Sequence, residues 1–333
     1  METKQPCLID HYERRLNYLR ISITDRCNLR CLYCMPCEGL DKLMHEDILT
    51  YEEILRLAGI AVGLGVDKIR LTGGEPLVRK DFPRLLPELM SIPGLKDLSI
   101  TTNGIYLKEN LENIHAAGVK RINISLDSLH RDRFRKITGF DGFDRVWEGI
   151  QLAHKMNFHP IKINMVVLKG INDDEVADFA RLSVRYPFHV RFIEYMPSGL
   201  LHRNEPLHYV SNTLIREKLE EAQPLIQVPR TAIDGPTVRY RFEGAPGEIG
   251  FISPLTHHFC QVCNRLRLTA NGHLRPCLLS DREMDLKGPM RAGATDRDLE
   301  RIFSEAADHK PRSHHLDSED AISLSGRMSA IGG

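Results

Sequence analysis

The stretch RISITDRCNLRCLYC (residues 20–34) joins a strand-like run of alternating residues to three closely spaced cysteines. Three residues separate Cys27 from Cys31, and two separate Cys31 from Cys34. A structural zinc site usually takes four ligands as two pairs, so this triplet is one ligand short. An iron–sulfur cluster held by three thiolates keeps one iron open to a small molecule. We therefore predict a cluster with an open iron directly after the first strand.

A second triplet lies late in the chain, at Cys260, Cys263 and Cys277, with two and then thirteen residues between its members. The same reasoning predicts a second cluster with an open iron. A zinc site is the competing interpretation, because the sequence offers a fourth ligand. The candidates for that ligand are His257, His258 and Cys37.

Length and composition predict a soluble globular protein. The 333 residues are 42% hydrophobic and 27% charged, enough to bury the core of one large domain and a smaller one. Forty-five basic residues balance forty-five acidic ones, so no overall field favours nucleic acid or a membrane surface. No N-terminal export signal and no stretch of ~20 apolar residues stands out. We expect a cytoplasmic protein, where clustered cysteines more often bind metal or do redox chemistry than form disulfides.

Strand-like runs alternate with helical stretches through the middle of the chain. The runs are RISIT near residue 20, KIRLTGG near 68, LSITTNG near 98, RINISLD near 121, IKINMVV near 161 and VRFIEYM near 190. Thr50 and Glu53 form the capping-box pattern that starts one of the helices. Six βα units predict an α/β fold whose parallel sheet curves into a partial barrel, with an open, doubly wound sheet as the alternative.

The pattern becomes β-rich after about residue 225. We therefore expect the partial barrel over residues 15–225 and a smaller C-terminal domain over 226–333. Asn271-Gly272 between two alternating runs predicts a two-residue hairpin turn, which would fold Cys277 back toward Cys260 and Cys263. The same run carries Arg265 and Arg267 on one face of a strand beside the thiols, as an anion clamp or as solvent-facing arginines.

Alternation within the strands separates an apolar face from a polar one. Leu19, Ile21 and Ile23 share one face of the first strand, and the following strands repeat the split. If the apolar face packs on the helices, the polar face lines a water-containing cavity inside the barrel. Alternatively, the polar face is a sheet surface exposed to solvent.

Three cations belong to this polar lining: Arg20, Arg70 and Lys162 come from three different strands. Burying them together is costly unless an anion with several charges lies among them, and a polyphosphate is the natural candidate. Each could instead be a structural residue in a salt bridge. Gly73 and Gly74 end a strand, either for a tight turn or for close approach of a ligand to the backbone.

These motifs together resemble a known family. CNLRCLYC, with LTGGEP one βα unit later, is similar to the signatures of the radical S-adenosylmethionine (radical SAM) enzymes. CQVCNRLRL, its later cysteine and the terminal Gly332-Gly333 narrow the resemblance to the branch that cyclises GTP in molybdenum cofactor biosynthesis. The similarity extends from about residue 15 to the end of the chain.

The resemblance implies two [4Fe–4S] clusters, SAM as cosubstrate and GTP as substrate. The first cluster would be held by Cys27, Cys31 and Cys34, and the second by Cys260, Cys263 and Cys277. Positions that match the SAM site are Tyr33, Gly74, Ser125 and Met196. Positions that match the GTP site are Arg20, Arg70, Thr101, Lys162, Arg265, Leu266 and Arg267. Catalytic roles fall to Arg20, Arg265, Arg267 and the tail residues Gly332 and Gly333.

The reaction implied by the resemblance is a radical cyclisation. Reductive cleavage of SAM yields a 5'-deoxyadenosyl radical that takes hydrogen from C3' of GTP, and the C3' radical then attacks C8 of guanine. The implied partners are an electron donor protein, a downstream cyclic pyranopterin monophosphate synthase and a second copy of the chain, with no nucleic acid and no membrane. Two alternatives stay open from the residues: another radical SAM enzyme with an auxiliary cluster, such as a peptide modifier, and a non-enzymatic zinc-binding module.

Overall fold

The structure is a computed structural model, and it describes residues 7–34, 42–196, 208–230, 235–314 and Ile331. Its centre is a row of six βα units, as the sequence predicts. The strands are β1 (Tyr18–Ser22), β2 (Lys68–Thr72), β3 (Asp97–Thr102), β4 (Arg121–Ser125), β5 (Ile161–Val167) and β6 (Phe188–Glu194). The helices between and after them are α1 (Tyr51–Gly63), α2 (Phe82–Met90), α3 (Leu107–Ala116), α4 (Arg131–Thr138), α5 (Phe143–Lys155) and α6 (Val176–Arg185).

The rest of the described chain adds further strands and three helices to this row. The strands are β7 (Leu225–Gln227), β8 (Val238–Phe242), β9 (Glu248–Ile252), β10 (Arg265–Leu268), β11 (His273–Arg275) and β12 (Met284–Asp285). The helices are α7 (Asn212–Ala222), α8 (Lys287–Arg291) and α9 (Asp296–Asp308). Within the described residues, all twelve strands form one sheet in the order β12-β11-β10-β1-β2-β3-β4-β5-β6-β9-β8-β7.

Strand order distinguishes between the two predicted folds. The six strands β1 to β6 are parallel neighbours in chain order, with no reversal of the kind that marks a doubly wound sheet. The sheet does not close on itself, because β7 and β12 are its two ends. The partial-barrel prediction is therefore confirmed. Strands from the region after residue 226 flank this barrel on both sides, with β9 parallel to β6 and β10 parallel to β1.

The split between apolar and polar strand faces is also confirmed. Leu19, Ile21 and Ile23 are completely buried in the hydrophobic core, as are the matching isoleucines of the following strands. The helices cover this face, so the alternate residues point to the barrel interior. The predicted capping box is present as well: Thr50 and Glu53 exchange hydrogen bonds at the start of α1.

The hairpin prediction needs one correction. Strands β10 and β11 do pair antiparallel, but the loop between them runs from Thr269 to Gly272 and is longer than the two residues predicted. Gly272 has φ 82° and donates its N–H to the carbonyl of Thr269 at 3.0 Å. A tight turn that ends in a left-handed glycine is a common longer hairpin connection, which an Asn-Gly pair serves equally well.

Helices in the described ranges all lack the combination of length and hydropathy that crossing a membrane requires.

Candidate active site

A cavity of about 710 Å³ occupies the interior of the barrel, and both cysteine triplets contribute to its wall. Cys27, Cys31 and Cys34 follow the carboxyl end of β1, whereas Cys260 and Cys263 precede the amino end of β10. Because β1 and β10 are parallel neighbours, the two triplets lie at opposite ends of the barrel. A ligand in the cavity therefore lies between two groups of thiols.

The loop of the first triplet is fixed by main-chain hydrogen bonds to α4. The N–H of Arg30 donates to Thr138 and that of Leu32 donates to Ile137, at 2.8 and 2.9 Å. Burial raises the pKa of the Cys34 thiol to about 12. It also raises the pKa of Cys31 well above its usual value. A nearby cation or metal favours the thiolate form of such thiols, so this triplet is suited to a positively charged centre.

The Gly-Gly-Glu-Pro turn packs against the same loop. The N–H of Gly74 donates to Thr24 at 2.7 Å, and a Cβ at Gly74 would overlap the carbonyl of Arg26. Tight packing of main chain against main chain, the first of the two roles considered for this glycine pair, therefore accounts for Gly74 in this turn. The buried carboxylate of Glu75 accepts hydrogen bonds from main-chain and side-chain donors at 2.6–3.0 Å. These donors are Leu77 N, Thr102 Oγ1 and Asn103 N.

The four positions that match a SAM site all line the cavity; they are Tyr33, Gly74, Ser125 and Met196. Tyr33 donates its hydroxyl to the buried carboxylate of Asp127 at 2.7 Å. Asp127 also accepts from the N–H of Val166 at 2.9 Å, which ties the first triplet's loop to β5. Asp127 carried no signal in the sequence beyond its place directly after a strand.

The predicted cation convergence is present, and it is larger than expected. Arg20, Arg70 and Lys162 line the cavity together with Thr101, Arg265 and Arg267. Further cations of the cavity wall, which were not predicted, are Lys68, Arg121, Arg191, Arg239, Arg241 and Lys310. Strand parity could have identified two of them, because Lys68 and Arg121 are each two residues from a polar position already assigned to the interior.

Burial, together with repulsion between positive charges, lowers the pKa values of several of these side chains. Burial, followed by repulsion from Arg191 and Arg70, lowers the pKa of Lys162 to about 5. Burial is also the main cause that lowers the pKa of Lys68 to about 8 and that of Arg20 to about 10. A bound polyanion would relieve both the repulsion and the lost hydration of these groups, so the wall is complementary to one.

Two carboxylates, half-buried Asp97 and buried Glu248, offset part of this charge at the amino ends of the strands. Asp97 pairs with Arg121, and its oxygen lies 3.7 Å from the Nζ of Lys68. Glu248 pairs with Arg239 and Arg241, both at 3.1 Å. The hydroxyl of Thr101 is buried and has no hydrogen-bond partner among the described residues. An unpaired polar atom in a cationic wall fits the position of a ligand that accepts hydrogen bonds.

The second triplet lies beside Arg265 and Lys310. Burial acts to raise the pKa of Cys263, but the charges of Arg265 and Lys310 outweigh it and bring that pKa to about 6. Cys260 and Cys277 lie close enough to influence each other's charge, in agreement with a joint site. Leu266, by contrast, is completely buried on the apolar face of β10, so only its main chain can face a ligand.

The positions of the side chains that could bind a metal ion also bear on the alternative of a zinc site. In the described part of the chain, no group of three or more His, Cys, Asp or Glu side chains converges on a position for one metal ion. Thiolates of a four-iron cluster each bind a different iron and so stay further apart than the ligands of one zinc ion. His258 does line the cavity, and the Nε2 of His257 instead lies 3.4 Å from the hydroxyl of Thr213. Cys37, Gly332 and Gly333 lie outside the described residues.

Sequence comparisons agree with this geometry. A profile of the Radical SAM superfamily matches residues 21–183, and one named Molybdenum Cofactor Synthesis C matches residues 188–316. A GTP 3',8-cyclase of Moorella thermoacetica is 49% identical over 97% of this chain and 99% of its own length. The GTP 3',8-cyclase of Desulforamulus reducens is 47% identical over 98% of this chain and 100% of its own.

The chain belongs to the GTP 3',8-cyclase family.

This family member also resembles solved structures in its fold. The structure of Streptococcus suis SuiB superposes with a TM-score of 0.61 at 13% identity, covering 95% of this chain and 78% of that one. SuiB bound to S-adenosylmethionine gives a TM-score of 0.57 at 16% identity, over 82% and 64% of the two chains. These two superpositions show a shared fold.

The residues of this family member fit the cofactors expected for them. Each triplet supplies three free thiols at the cavity wall, the number that holds a four-iron cluster while one iron stays open. The main chain of Arg26 packs directly against Gly74, which holds the turn close to the loop of the first triplet. The hydroxyl of Thr101, which has no hydrogen-bond partner among the described residues, belongs to the same cavity wall as the cations.

Proposed function

We propose that this chain converts GTP, with SAM as cosubstrate, to (8S)-3',8-cyclo-7,8-dihydroguanosine 5'-triphosphate, an early step of molybdenum cofactor biosynthesis. One observation carries the proposal: two thiol triplets lie at opposite ends of a cavity whose wall between them is strongly cationic. The near full-length similarity to curated GTP 3',8-cyclases supports it.

Each end of the cavity has its own task in this proposal. When bound and given one electron by the proposed donor protein, a [4Fe–4S] cluster with SAM would supply the 5'-deoxyadenosyl radical, with methionine as the other fragment. That radical removes hydrogen from C3' of GTP, C3' bonds to C8, and a second electron and a proton complete the 7,8-dihydro product. Cys27, Cys31 and Cys34 would hold that cluster. Tyr33, Gly74, Ser125 and Met196 would hold the cosubstrate, all four from the wall of the cavity.

The cationic wall would bind and orient the substrate. Arg20, Arg70 and Lys162 would contact the triphosphate, joined by the hydroxyl of Thr101 and by the further cations of the wall. Arg265 and Arg267, together with the main chain of Leu266, would position the nucleotide beside the second cluster, which Cys260, Cys263 and Cys277 would hold. Gly332 and Gly333 are proposed to reach the same site from the end of the chain.

Enclosure is the remaining contribution of the fold. The cavity is surrounded by strands on most sides, so bound substrate exchanges water for fixed side-chain charges. This setting keeps a reactive intermediate away from solvent and holds C3' and C8 of one nucleotide in a fixed relation.

The proposal includes partners and location that the family resemblance implies. They are an electron donor protein, a downstream cyclic pyranopterin monophosphate synthase that takes the product, a homodimeric state and a cytoplasmic location.

An isotope experiment tests the function directly. Anaerobically purified protein, reduced and supplied with SAM, is given GTP deuterated at C3'. We expect cyclised product and deuterium in the 5'-deoxyadenosine, because the hydrogen moves directly between these carbons. Deoxyadenosine that forms equally without GTP and carries no deuterium would contradict the proposal. Iron analysis of the same sample should give about eight irons per chain, as two four-iron clusters require.

A further inference from the structure

A buried ion pair joins the start of the chain to the second triplet. Asp10 and Arg14 are only 5% and 7% exposed, and the Nε of Arg14 donates to Asp10 at 2.6 Å. The terminal nitrogens of Arg14 donate to the carbonyl of Cys260 at 2.6 Å and to that of Pro311 at 2.7 Å. One guanidinium therefore holds the main chain of a predicted cluster ligand against a segment near the C-terminus.

Lys310, from that C-terminal segment, donates hydrogen bonds to the main chain close to the other two cysteines. It is 3% exposed, and its ammonium donates to the carbonyls of Arg265 and Pro276 at 2.8 and 2.6 Å. Pro276 directly precedes Cys277, and Arg265 lies two residues after Cys263. Lys310 thus ties the strand that follows one ligand to the loop that carries another.

The charge of Lys310 has an unusual set of partners. Its hydrogen bonds go to carbonyl oxygens, and it lines the same cavity wall as the thiols of Cys263 and Cys277. Two carbonyl dipoles alone compensate poorly for burying an ammonium group, so its position is best explained by a negative centre beside it. The sequence offered no sign of this role, because Lys310 lies in a charged stretch without a recognisable motif.

We propose that Arg14 and Lys310 are positioning residues of the second triplet, which fix its three backbone segments and place positive charge beside the centre that the thiols hold. This inference rests on the proposed function, in which that centre is a four-iron cluster. Residues around metal ligands commonly orient them and tune the metal in this way. Adding an electron to the cluster adds negative charge, so a neighbouring cation favours the reduced form.

Lys310→Met and Lys310→Arg holoenzymes test the inference, with Arg14→Gln as a second disruption. Arg15→Gln is the matched control, because the side chain of Arg15 is adjacent in sequence but 57% exposed. For each protein, the measurements are irons per chain, the rate of iron loss to a chelator and the midpoint potential of each centre by spectroscopic redox titration. The first centre is the internal control for correct folding.

Lys310→Met should release iron from the second centre about 10-fold faster or more, as loss of a neighbour that orients metal ligands does. Its second centre should also titrate at a more negative potential, whereas Lys310→Arg, Arg15→Gln and the first centre behave as in the wild type. A purely structural residue would not move the potential of centres that remain assembled. Should Lys310→Met fail to fold, Lys310→Gln carries the same test, since its amide still donates hydrogen bonds but has no charge.

Two kinds of failure are distinguishable. A wild type with about four irons per chain would contradict the second cluster and with it the proposed function. A wild type with about eight irons, together with Lys310 variants of unchanged iron loss and unchanged potential, would overturn the positioning role alone.

Discussion

Thr101 and Thr102 are consecutive on β3, yet their hydroxyl groups have opposite surroundings. The hydroxyl of Thr102 donates to Glu75 at 2.7 Å and accepts from the N–H of Gly104 at 3.0 Å. The hydroxyl of Thr101 is buried in the cavity wall without a partner among the described residues. One threonine completes the protein's own hydrogen bonding, and the other leaves a polar atom for a ligand.

Replacing each threonine by valine should separate these roles. Thr101→Val removes an unpaired buried oxygen, so the free energy of unfolding should rise by about 1 kcal/mol while GTP affinity falls about 5-fold. Thr102→Val leaves Glu75 short of a donor and should lower the free energy of unfolding by about 1–3 kcal/mol. Denaturant unfolding and nucleotide titration measure the two effects. Equal loss of stability in both variants would contradict the assignment of Thr101 to the substrate.

Lys162 should make GTP binding dependent on pH. With a pKa of about 5, the amine is mostly neutral in the free protein near pH 7, because burial and its cationic neighbours disfavour the charge. A bound triphosphate raises that pKa, so binding takes up a proton, and affinity falls as pH rises above 5. Lys162→Met should remove most of this proton uptake and weaken binding.

Calorimetry of GTP binding in buffers of different ionisation enthalpy measures how many protons the wild type and Lys162→Met take up on binding. Lys155→Met, an exposed substitution on α5, is the matched control and should bind as the wild type does. Both variants should keep their full iron content. Proton uptake that persists unchanged in Lys162→Met would assign the titration to another group.

The first triplet should be required both for cleavage of SAM and for cyclisation of GTP. Cys27→Ser replaces a thiolate with a hydroxyl that binds iron poorly, so the variant should hold about four irons per chain rather than about eight and form no 5'-deoxyadenosine. Cys7→Ser, at an exposed thiol that is not part of the cavity wall, should retain both properties. Deoxyadenosine production that survives in Cys27→Ser would refute the ligand assignment.

The second triplet should be required for cyclisation of GTP but not for cleavage of SAM. Cys263→Ser should lose the centre next to Arg265 but keep the first, because the two lie at opposite ends of the barrel. We expect slow 5'-deoxyadenosine formation without cyclised product, measured by chromatography of quenched reactions. Normal product from this variant would exclude a role for the second centre in cyclisation.

Alanine should be harmful at Gly74 and stabilising at Gly59. A Cβ at Gly74 would overlap main-chain atoms of Arg26, so Gly74→Ala should open the turn and abolish SAM binding. Gly59, in the interior of α1, has open space where an alanine Cβ would lie, so Gly59→Ala should raise the free energy of unfolding by ~1 kcal/mol. Thermal unfolding and equilibrium binding of SAM check the pair, and a Gly74→Ala protein with normal SAM affinity would contradict the role of the turn.

Much of the barrel was predictable because its signals are local. The alternation of Leu19, Ile21 and Ile23 with polar residues identifies the buried face of a strand, since successive side chains point to opposite sides. The capping box at Thr50 marks a helix start in the same local way. Cysteine spacing is equally local, which is why both triplets were recognised without any knowledge of their surroundings.

Long-range strand pairing decided the rest. Tyr18 on β1 is the register partner of Arg265 on β10, and this parallel pairing alone sends the two triplets to opposite ends of the cavity. The hydrogen bonds from Arg14 to Cys260 and from Lys310 to Arg265 also join parts of the chain that are remote in sequence. Periodicity and spacing record which way a side chain points along its own segment, but not which distant segment it meets, so these features depended on the folded structure.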